Sequence, residues 1–243
     1  MKTFYMMLKY EKLIIIFRRD NMIKGEANIS PRETQIEVKK VYITPDVLKT
    51  IEECGRTAYL SFDKITDESA ESFIDMIVRR GHESVLEHAV LSVRVKGISR
   101  SCSHQLVRHR LVSYTQQSQR YVDEKNFSII VPNSIKKDGE AYDNFLELME
   151  QIKSFYSFLQ KKGVPNQDAR FVLPNATETQ ICVTTNLREW RHILELRGSP
   201  HAQWEIREMA IRVYEILKEE CPIIVSDFEL TDKRTLRKIR KIE

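Results

Sequence analysis

Residues 90–107 read VLSVRVKGISRSCSHQLV, and this stretch predicts a strand followed directly by a helix. Side chains at residues 90–95 follow the period of two that is typical of a half-buried β-strand. Gly97 is expected to separate this strand from a helix over about residues 99–107. Residues 177–185 are rich in Thr and Val and predict a second strand. The sequence therefore predicts a few strands placed between helices.

Helical spacing of apolar side chains accounts for most of the remaining pattern. Gly81 and Gly163 are expected to end two of these helices, and the side chain of Asn186 can cap the start of another. Together the signals predict an α+β fold in which helices pack on a small, mostly antiparallel sheet. The predicted helices cover about residues 47–51, 69–80, 140–162, 187–197 and 201–220, with a short one that opens at residues 164–168 and carries Arg170.

The chain of 243 residues, 42% of them hydrophobic, can bury one sizeable core, and it has no internal repeat or low-complexity linker. We therefore predict a single domain over residues 41–243, preceded by an N-terminal extension over residues 1–40. The apolar residues 13–17 are far fewer than the roughly 20 needed to span a membrane, and residues 30–33 resemble a turn or helix start.

Composition excludes several classes of protein. Charged residues make up 30% of the chain with a net charge of +4, so nothing demands a nucleic-acid partner. The four cysteines form no CxxC pair, which argues against a zinc ribbon or a secreted disulfide framework and favours a reducing cytoplasm. Histidine pairs His82 with His88 and His104 with His109 lack metal-site spacing, so no metal is predicted.

Residues 108–121 read RHRLVSYTQQSQRY and concentrate strong hydrogen-bond donors in a short segment. Arginine suits phosphate because its planar guanidinium donates two parallel hydrogen bonds. An RHR triplet alone would fit a surface loop of solvated charges. The full segment instead predicts a site for an anionic small molecule.

This segment resembles the signature of the flavin-dependent thymidylate synthases, whose pattern runs RHR, two residues, Ser, and then a polar stretch ending in Ser-x-Arg-Tyr. The resemblance covers about residues 54–222. Thr115 stands where Asn is frequent, Gln116 where Glu is frequent, and Ala58 where some relatives carry Ser. The other matching segments are GHESVLEH (81–88), FVLPNATET (171–179), TTNLREWRHILELR (184–197) and PHAQWEIR (200–207).

The resemblance implies the reductive methylation of dUMP to dTMP, with FAD as cofactor and NADPH and methylenetetrahydrofolate as cosubstrates, in a homotetramer without a catalytic cysteine. Arg197 is implied as the catalytic residue at the uracil ring. Its position at a helix end also fits an arginine that complements the helix dipole. The implied dUMP-binding residues are Gln105, Leu106, Val107, Arg108, Gln116, Gln117, Ser118, Gln119, Arg120, Arg170 and Arg197. The implied FAD-binding residues are His82, Ser84, Glu87, Arg108, His109, Arg110, Gln116, Asn186, Leu187, Arg188 and His192.

Two alternatives stay open from the sequence alone. A nucleic-acid-binding module would use Arg108, Arg110, Arg120 and the basic residues 233–241, and its affinity would fall steeply with salt. A flavoprotein that has lost synthase activity would bind FAD but not dUMP. Cys102 lies one helical stretch before the motif among apolar neighbours, which predicts burial rather than activation.

Overall fold

The computed structural model describes residues 35–239, so the predictions for residues 13–17 and 30–33 lie outside the described residues. Within the described part, the chain divides into two compact units, one formed by residues 118–177 and the other by residues 35–117 with 178–239. The helices are α1 Val47–Arg56, α2 Ser69–Arg80, α3 Arg100–Leu106, α4 Asn133–Lys136, α5 Gly139–Lys161, α6 Asn166–Ala169, α7 Leu187–Arg197 and α8 Trp204–Glu220. The strands are β1 Glu37–Ile43, β2 Val90–Ser99, β3 Ser113–Gln116, β4 Glu178–Asn186, β5 Phe228–Leu230 and β6 Leu236–Lys238.

The larger unit is built on a four-stranded sheet in the order β1-β2-β4-β3. Every pair of neighbouring strands is antiparallel, which confirms the predicted α+β class and the small antiparallel sheet. Two of the four strands were not predicted. β1 begins within the stretch predicted as an N-terminal extension, and β3 lies inside the arginine-rich motif.

Gly97 does not end β2, so the prediction that it separates this strand from the following helix is wrong. β2 continues to Ser99, and its register against β4 shifts between Val95 and Ile98. Gly97 has a φ of 72°, and a Cβ there would lie 2.5 Å from the Gln35 carbonyl oxygen. The glycine therefore permits a bulge within the strand, because an added residue in one strand bends it without ending the pairing. The helix α3 then begins directly after β2.

Helix ends follow the local chemistry of the sequence. Gly81 has a φ of 69° and ends α2 as predicted, because glycine adopts the left-handed conformation at low cost. Asn186 caps α7 as predicted, with its Oδ1 accepting from the backbone N–H of Glu189 at 2.8 Å. α8 begins at Trp204 rather than at His201, because the Gln203 side chain accepts from the first free N–H groups of that helix.

The core of the larger unit lies between the sheet and helices α7 and α8. The inward side chains of β2, including Leu91, Val93 and Val95, are fully buried. Trp190 is also fully buried, and its indole N–H donates to the Leu91 carbonyl at 2.9 Å. Met209 on α8 is fully buried in the same core.

The smaller unit is organised around the long helix α5, which confirms the helix predicted over residues 140–162. Met149 on this helix is buried against Phe127, Ile129 and Val131. The chain then passes through α6 and a 3₁₀ turn, Arg170–Val172. Among residues 35–239, no helix combines the length and the apolar character that crossing a bilayer requires.

Candidate functional site

The arginine-rich motif lies where α3 ends and β3 begins. Tyr114 holds this turn, since its hydroxyl donates to the carbonyl oxygens of Leu106 at 2.7 Å and His109 at 3.1 Å. Burial raises the pKa of the Tyr114 hydroxyl to about 12, so the hydroxyl remains a donor at neutral pH. The motif leaves a helix end, as predicted. Its continuation as an edge strand was missed, although alternation and Tyr and Thr content are strand signals.

Hydrogen-bond contacts link three side chains between this turn and α7, in the order Glu189, His109 and Arg197. The Nδ1 atom of His109 lies 3.2 Å from Oε1 of Glu189. On the other side of the ring, Nε of Arg197 donates to Nε2 of His109 at 3.0 Å. Arg197 also donates through Nη2 to the Gln105 carbonyl at 3.4 Å. The side chains of His109 and Glu189 are only 4% and 11% exposed, so the line is largely shielded from water.

The contact with Arg197 requires one particular tautomer of His109. A guanidinium has no acceptor, so Nε2 of a neutral ring must accept and Nδ1 must carry the hydrogen. That hydrogen then points at the Glu189 carboxylate. Burial lowers the pKa of His109, Arg197 and His192 lower it further, and Glu189 partly opposes them by raising it. The ring is therefore favoured in its neutral form.

A metal ion does not fit this place, although suitable atoms of His109, Glu189 and His192 lie within 4.8 Å of one another. Ligation through Nδ1 of His109 would put the ring proton on Nε2, where it would face the N–H of Arg197. A metal-bound histidine normally donates its other ring N–H to an acceptor, and here that position is held by a donor. The grouping itself was not among the histidine pairs that the sequence suggested.

Arg108 and Arg110 offer positive charge without a carboxylate partner. Both are exposed, and neither forms an ion pair with another described residue of its unit. Arg188 differs, since it pairs with Glu87 at 2.5 Å. Two exposed guanidinium groups without counter-ions are suited to an anion such as the pyrophosphate of a dinucleotide.

The other residues expected near FAD supply both acceptors and donors. Gln116 uses its amide nitrogen to donate to Ser103 at 2.9 Å and Thr179 at 3.2 Å, which leaves its amide oxygen to accept. Asn186 uses its oxygen as the helix cap, which leaves its amide N–H groups to donate. His82 and Ser84 are exposed at the start of a 3₁₀ turn. The chemistry of this donor and acceptor set therefore fits a flavin dinucleotide.

The other residues expected at the site differ in their exposure. Leu106 and Leu187 are fully buried; the Leu106 carbonyl accepts from Tyr114, and the Leu187 N–H donates to the Ala89 carbonyl. His192 is exposed, and its ring meets that of His109 edge-on at 5.7 Å. Val107 is 41% exposed, and Gln117 extends the pairing of β3 with β4 by donating its backbone N–H to Gln180.

The residues expected to hold the dUMP phosphate lie in the smaller unit. Arg120 is exposed and sits over the ring of Tyr121 at 5.2 Å, while its backbone N–H donates to Ser118 at 3.2 Å. Arg170 donates to the Gln167 carbonyl at 3.0 Å. Neither arginine has a carboxylate partner among the described residues of that unit. The convergence of Arg120, Arg170 and Arg197 on one nucleotide stays a prediction, as does the role of Gln119.

Cys102 is fully buried, which confirms the prediction of burial. Burial raises the pKa of its thiol, the Glu205 carboxylate raises it further, and Arg197 opposes this effect. Cys221 is also buried, and the same cause raises its pKa to about 12. Because the thiolate is the nucleophilic form of cysteine, neither residue is activated for attack.

Arg191 and Glu189 are two important residues that sequence reasoning did not single out. The guanidinium of Arg191 is 1% exposed and contacts carboxylate oxygens of Glu83 and Asp227. Glu83 stands between His82 and Ser84, so this contact ties the segment expected to line the flavin to α7. The available signal was weak, since charged residues on a helix are normally solvated.

Comparisons with known proteins show the family of this chain. Residues 41–223 match the family model described as thymidylate synthase complementing protein. The chain is 47% identical over 165 residues to a flavin-dependent thymidylate synthase of Pyrococcus furiosus, covering 66% of this chain and 68% of that one. It is 42% identical over 196 residues to one from Thermococcus onnurineus, covering 76% and 80%. For one from Mycolicibacterium vanbaalenii the identity is 39% over 231 residues, covering 84% and 92%. This chain therefore belongs to the flavin-dependent thymidylate synthase family.

Proposed function

We propose that this protein converts dUMP to dTMP by reductive methylation, with FAD as cofactor, methylenetetrahydrofolate as carbon donor and NADPH as reductant. The proposal rests on the hydrogen-bond partners of Arg197 and on the family to which the chain belongs. Its guanidinium is held by His109 and the Gln105 carbonyl, and it pairs with no carboxylate among the described residues of its unit. A fixed cation of this kind is available for charge that develops on a bound ligand.

The reaction places defined demands on the protein. The C5 carbon of uracil forms a bond to the methylene carbon of the folate and loses its proton, and the bonds from that carbon to the folate nitrogens break so that tetrahydrofolate leaves. Bound FAD, once reduced by NADPH, supplies the hydride that completes the methyl group. The protein must position the nucleotide, keep water away and stabilise negative charge on the ring carbonyls and the imide nitrogen.

Arg197 suits the last of these tasks. The bonds from its Nε and Nη2 hold one edge of the guanidinium, so the remaining N–H groups are available to the uracil ring. A cation aimed at the ring stabilises the transition state more than the ground state, because the negative charge is larger in the transition state. We assign Arg197 the role of polarising the ring carbonyl and the imide.

The remaining residues divide by charge and position. We assign the dUMP phosphate to Ser118, Arg120 and Arg170, and the FAD pyrophosphate to Arg108 and Arg110. Arginines from separate segments would surround the ligands more completely in a homotetramer, which we include in the proposal. The nucleophile is not Cys102, because a buried thiol with a raised pKa is not a thiolate.

The first test asks whether the purified protein binds FAD and makes dTMP. We expect the yellow absorption bands of bound flavin after FAD addition, dUMP-dependent oxidation of the reduced flavin, and release of tritium from C5-labelled dUMP. Absence of both the flavin spectrum and tritium release would refute the proposal. Binding of polynucleotides with a steep salt dependence and no flavin requirement would support the nucleic-acid alternative instead.

The second test uses the Arg197→Ala variant. Turnover should fall by about 100-fold or more, as for loss of one charge-stabilising donor. FAD should stay bound, because Arg197 is assigned to the nucleotide. Arg212→Ala is the matched control, since Arg212 is exposed on α8 and pairs with Glu208 and Glu215. Equal turnover in the Arg197→Ala variant and the wild type would remove Arg197 from the mechanism.

A further inference from the structure

We infer that Glu189 is a positioning residue that orients Arg197 through the ring of His109. The inference rests on the proposed function, because it concerns the residue assigned to the uracil ring. Nothing in the chemistry of the reaction requires a carboxylate at this place. The geometry supplies one, with His109 between Glu189 and Arg197 at 3.2 Å and 3.0 Å.

Glu189 stabilises one tautomer of His109. A neutral imidazole donates from one nitrogen and accepts with the other. Arg197 occupies the Nε2 side as a donor, so its hydrogen bond exists only when Nδ1 carries the proton. The carboxylate of Glu189 accepts from Nδ1–H and stabilises that tautomer. Without Glu189, the ring is free to protonate Nε2, and two donors would then face each other across the Arg197 contact.

The bond to His109 orients the guanidinium of Arg197. The long side chain of Arg197 has many rotatable bonds. In the described part of its unit, only two acceptors hold its guanidinium, Nε2 of His109 and the Gln105 carbonyl. The 3.4 Å contact to Gln105 is the longer of the two. Loss of the His109 bond therefore leaves the guanidinium with one weak anchor, and its N–H groups are no longer aimed at a fixed point.

Burial makes the arrangement effective. Glu189 lies in the first turn of α7, where a carboxylate is also favourable to the helix dipole. A role confined to the dipole would not require the side chain to turn toward the ring of His109. Only 11% of the Glu189 side chain is exposed, and an ionised hydrogen bond is stronger in such shielded surroundings than in water.

Charged and titratable groups face His109 from α7 and from β3. Glu189, His192 and Arg197 face it from α7, and Tyr114 of β3 contacts its backbone carbonyl. Among these, Glu189 is the group that favours the charged ring, while burial, Arg197 and His192 disfavour it. The pKa of His109 is lowered overall, which keeps Nε2 able to accept from Arg197.

The decisive measurement is the ¹⁵N spectrum of the histidine rings in the full-length protein at neutral pH. Protonated and unprotonated ring nitrogens differ widely in chemical shift, and the His109→Gln variant identifies the His109 signals. We expect protonation at Nδ1 in the wild type and a shift toward Nε2 in the Glu189→Leu variant. Protonation at Nε2 in the wild type would overturn the inference even if the Glu189→Leu variant failed to fold.

Kinetics then separate a positioning role from a structural one. Glu189→Leu should lower kcat by about 100-fold, the loss expected from misplacing a catalytic group by about 1 Å. The same change in an Arg197→Lys background, which lacks the Nε–H donor, should lower kcat by only about twofold, because the two residues act as one unit. Equal factors in both backgrounds would overturn the inference.

The matched control is Glu195→Leu, which removes another carboxylate of α7 that pairs with Lys238 at 3.0 Å. We expect wild-type kcat and a wild-type His109 tautomer from this control. Failure of the proposed function has a different signature, since a wild-type protein that forms no dTMP would refute that function. The ¹⁵N spectrum would still report whether Glu189 sets the tautomer of His109.

Discussion

Loss of the Arg191 side chain should strongly destabilise the larger unit. Its side chain is 1% exposed and makes five hydrogen bonds, to Glu83, Asp227 and the Ile224 carbonyl. Burial by itself would lower the pKa of Arg191, but the hydrogen bonds and charges of Asp227 and Glu83 raise it overall. The guanidinium is therefore a buried cation that two carboxylates compensate.

The Arg191→Met variant keeps much of the side-chain volume and removes the charge. Breaking a buried ion pair by removing one partner costs about 3–5 kcal/mol, because the remaining charge is left without compensation. In a domain of this size, each 1 kcal/mol lowers Tm by about 2–4 °C, so we expect a fall of about 6–20 °C. The Ile224 carbonyl also loses its donor, which adds to the loss.

Thermal unfolding at one fixed protein concentration measures this effect. Arg212→Met is the control, because Arg212 is 46% exposed and loss of its surface pairs should cost about 1 kcal/mol or less. Neutralising both partners in the Arg191→Met background, with Glu83→Gln and Asp227→Asn, should recover part of the lost stability. If Arg191→Met unfolds at the same temperature as Arg212→Met, the buried charge network does not stabilise this unit as argued.

Three further changes test other parts of the structure. Gly97→Ala should lower the free energy of unfolding by about 1–3 kcal/mol in urea titration, because a φ of 72° and a Cβ 2.5 Å from the Gln35 carbonyl are both unfavourable; an unchanged midpoint would contradict the bulge. Cys102→Ala should retain dTMP formation, and full loss of activity in a folded, FAD-bound variant would restore a cysteine mechanism. Burial raises the pKa of Glu205 above its usual 4.5, although hydrogen bonds from Ser99 oppose it, so the folded state holds the proton more tightly than the unfolded state. The stability of the wild type relative to Glu205→Gln should therefore fall as pH rises from about 4.5 through the folded pKa, and a pH-independent difference would refute this.

Local chemistry allowed much of the fold to be predicted from sequence. The end of α2 at Gly81, the Asn186 cap of α7 and the long helix α5 all follow from patterns within a few residues. The prediction at Gly97 was wrong, because glycine signals a bulge and a strand end equally well. β1 and β3 were missed, because an exposed strand is recognised by its partner strand more than by its own apolar pattern.

The functional site was likewise predicted only in part from the sequence. The residue types of the arginine-rich motif predicted an anionic ligand, because several guanidinium groups in one segment favour anions. The order of residues within the motif was enough to indicate the family. The sequence could not show that Glu189, 80 residues from His109, would accept from its ring, or that Arg191 would be buried between two carboxylates. Such contacts depend on which helix packs beside which turn. Only tertiary structure decides them, because hydrogen bonds and charge pairs act over a few ångströms and the intervening chain does not encode the distance.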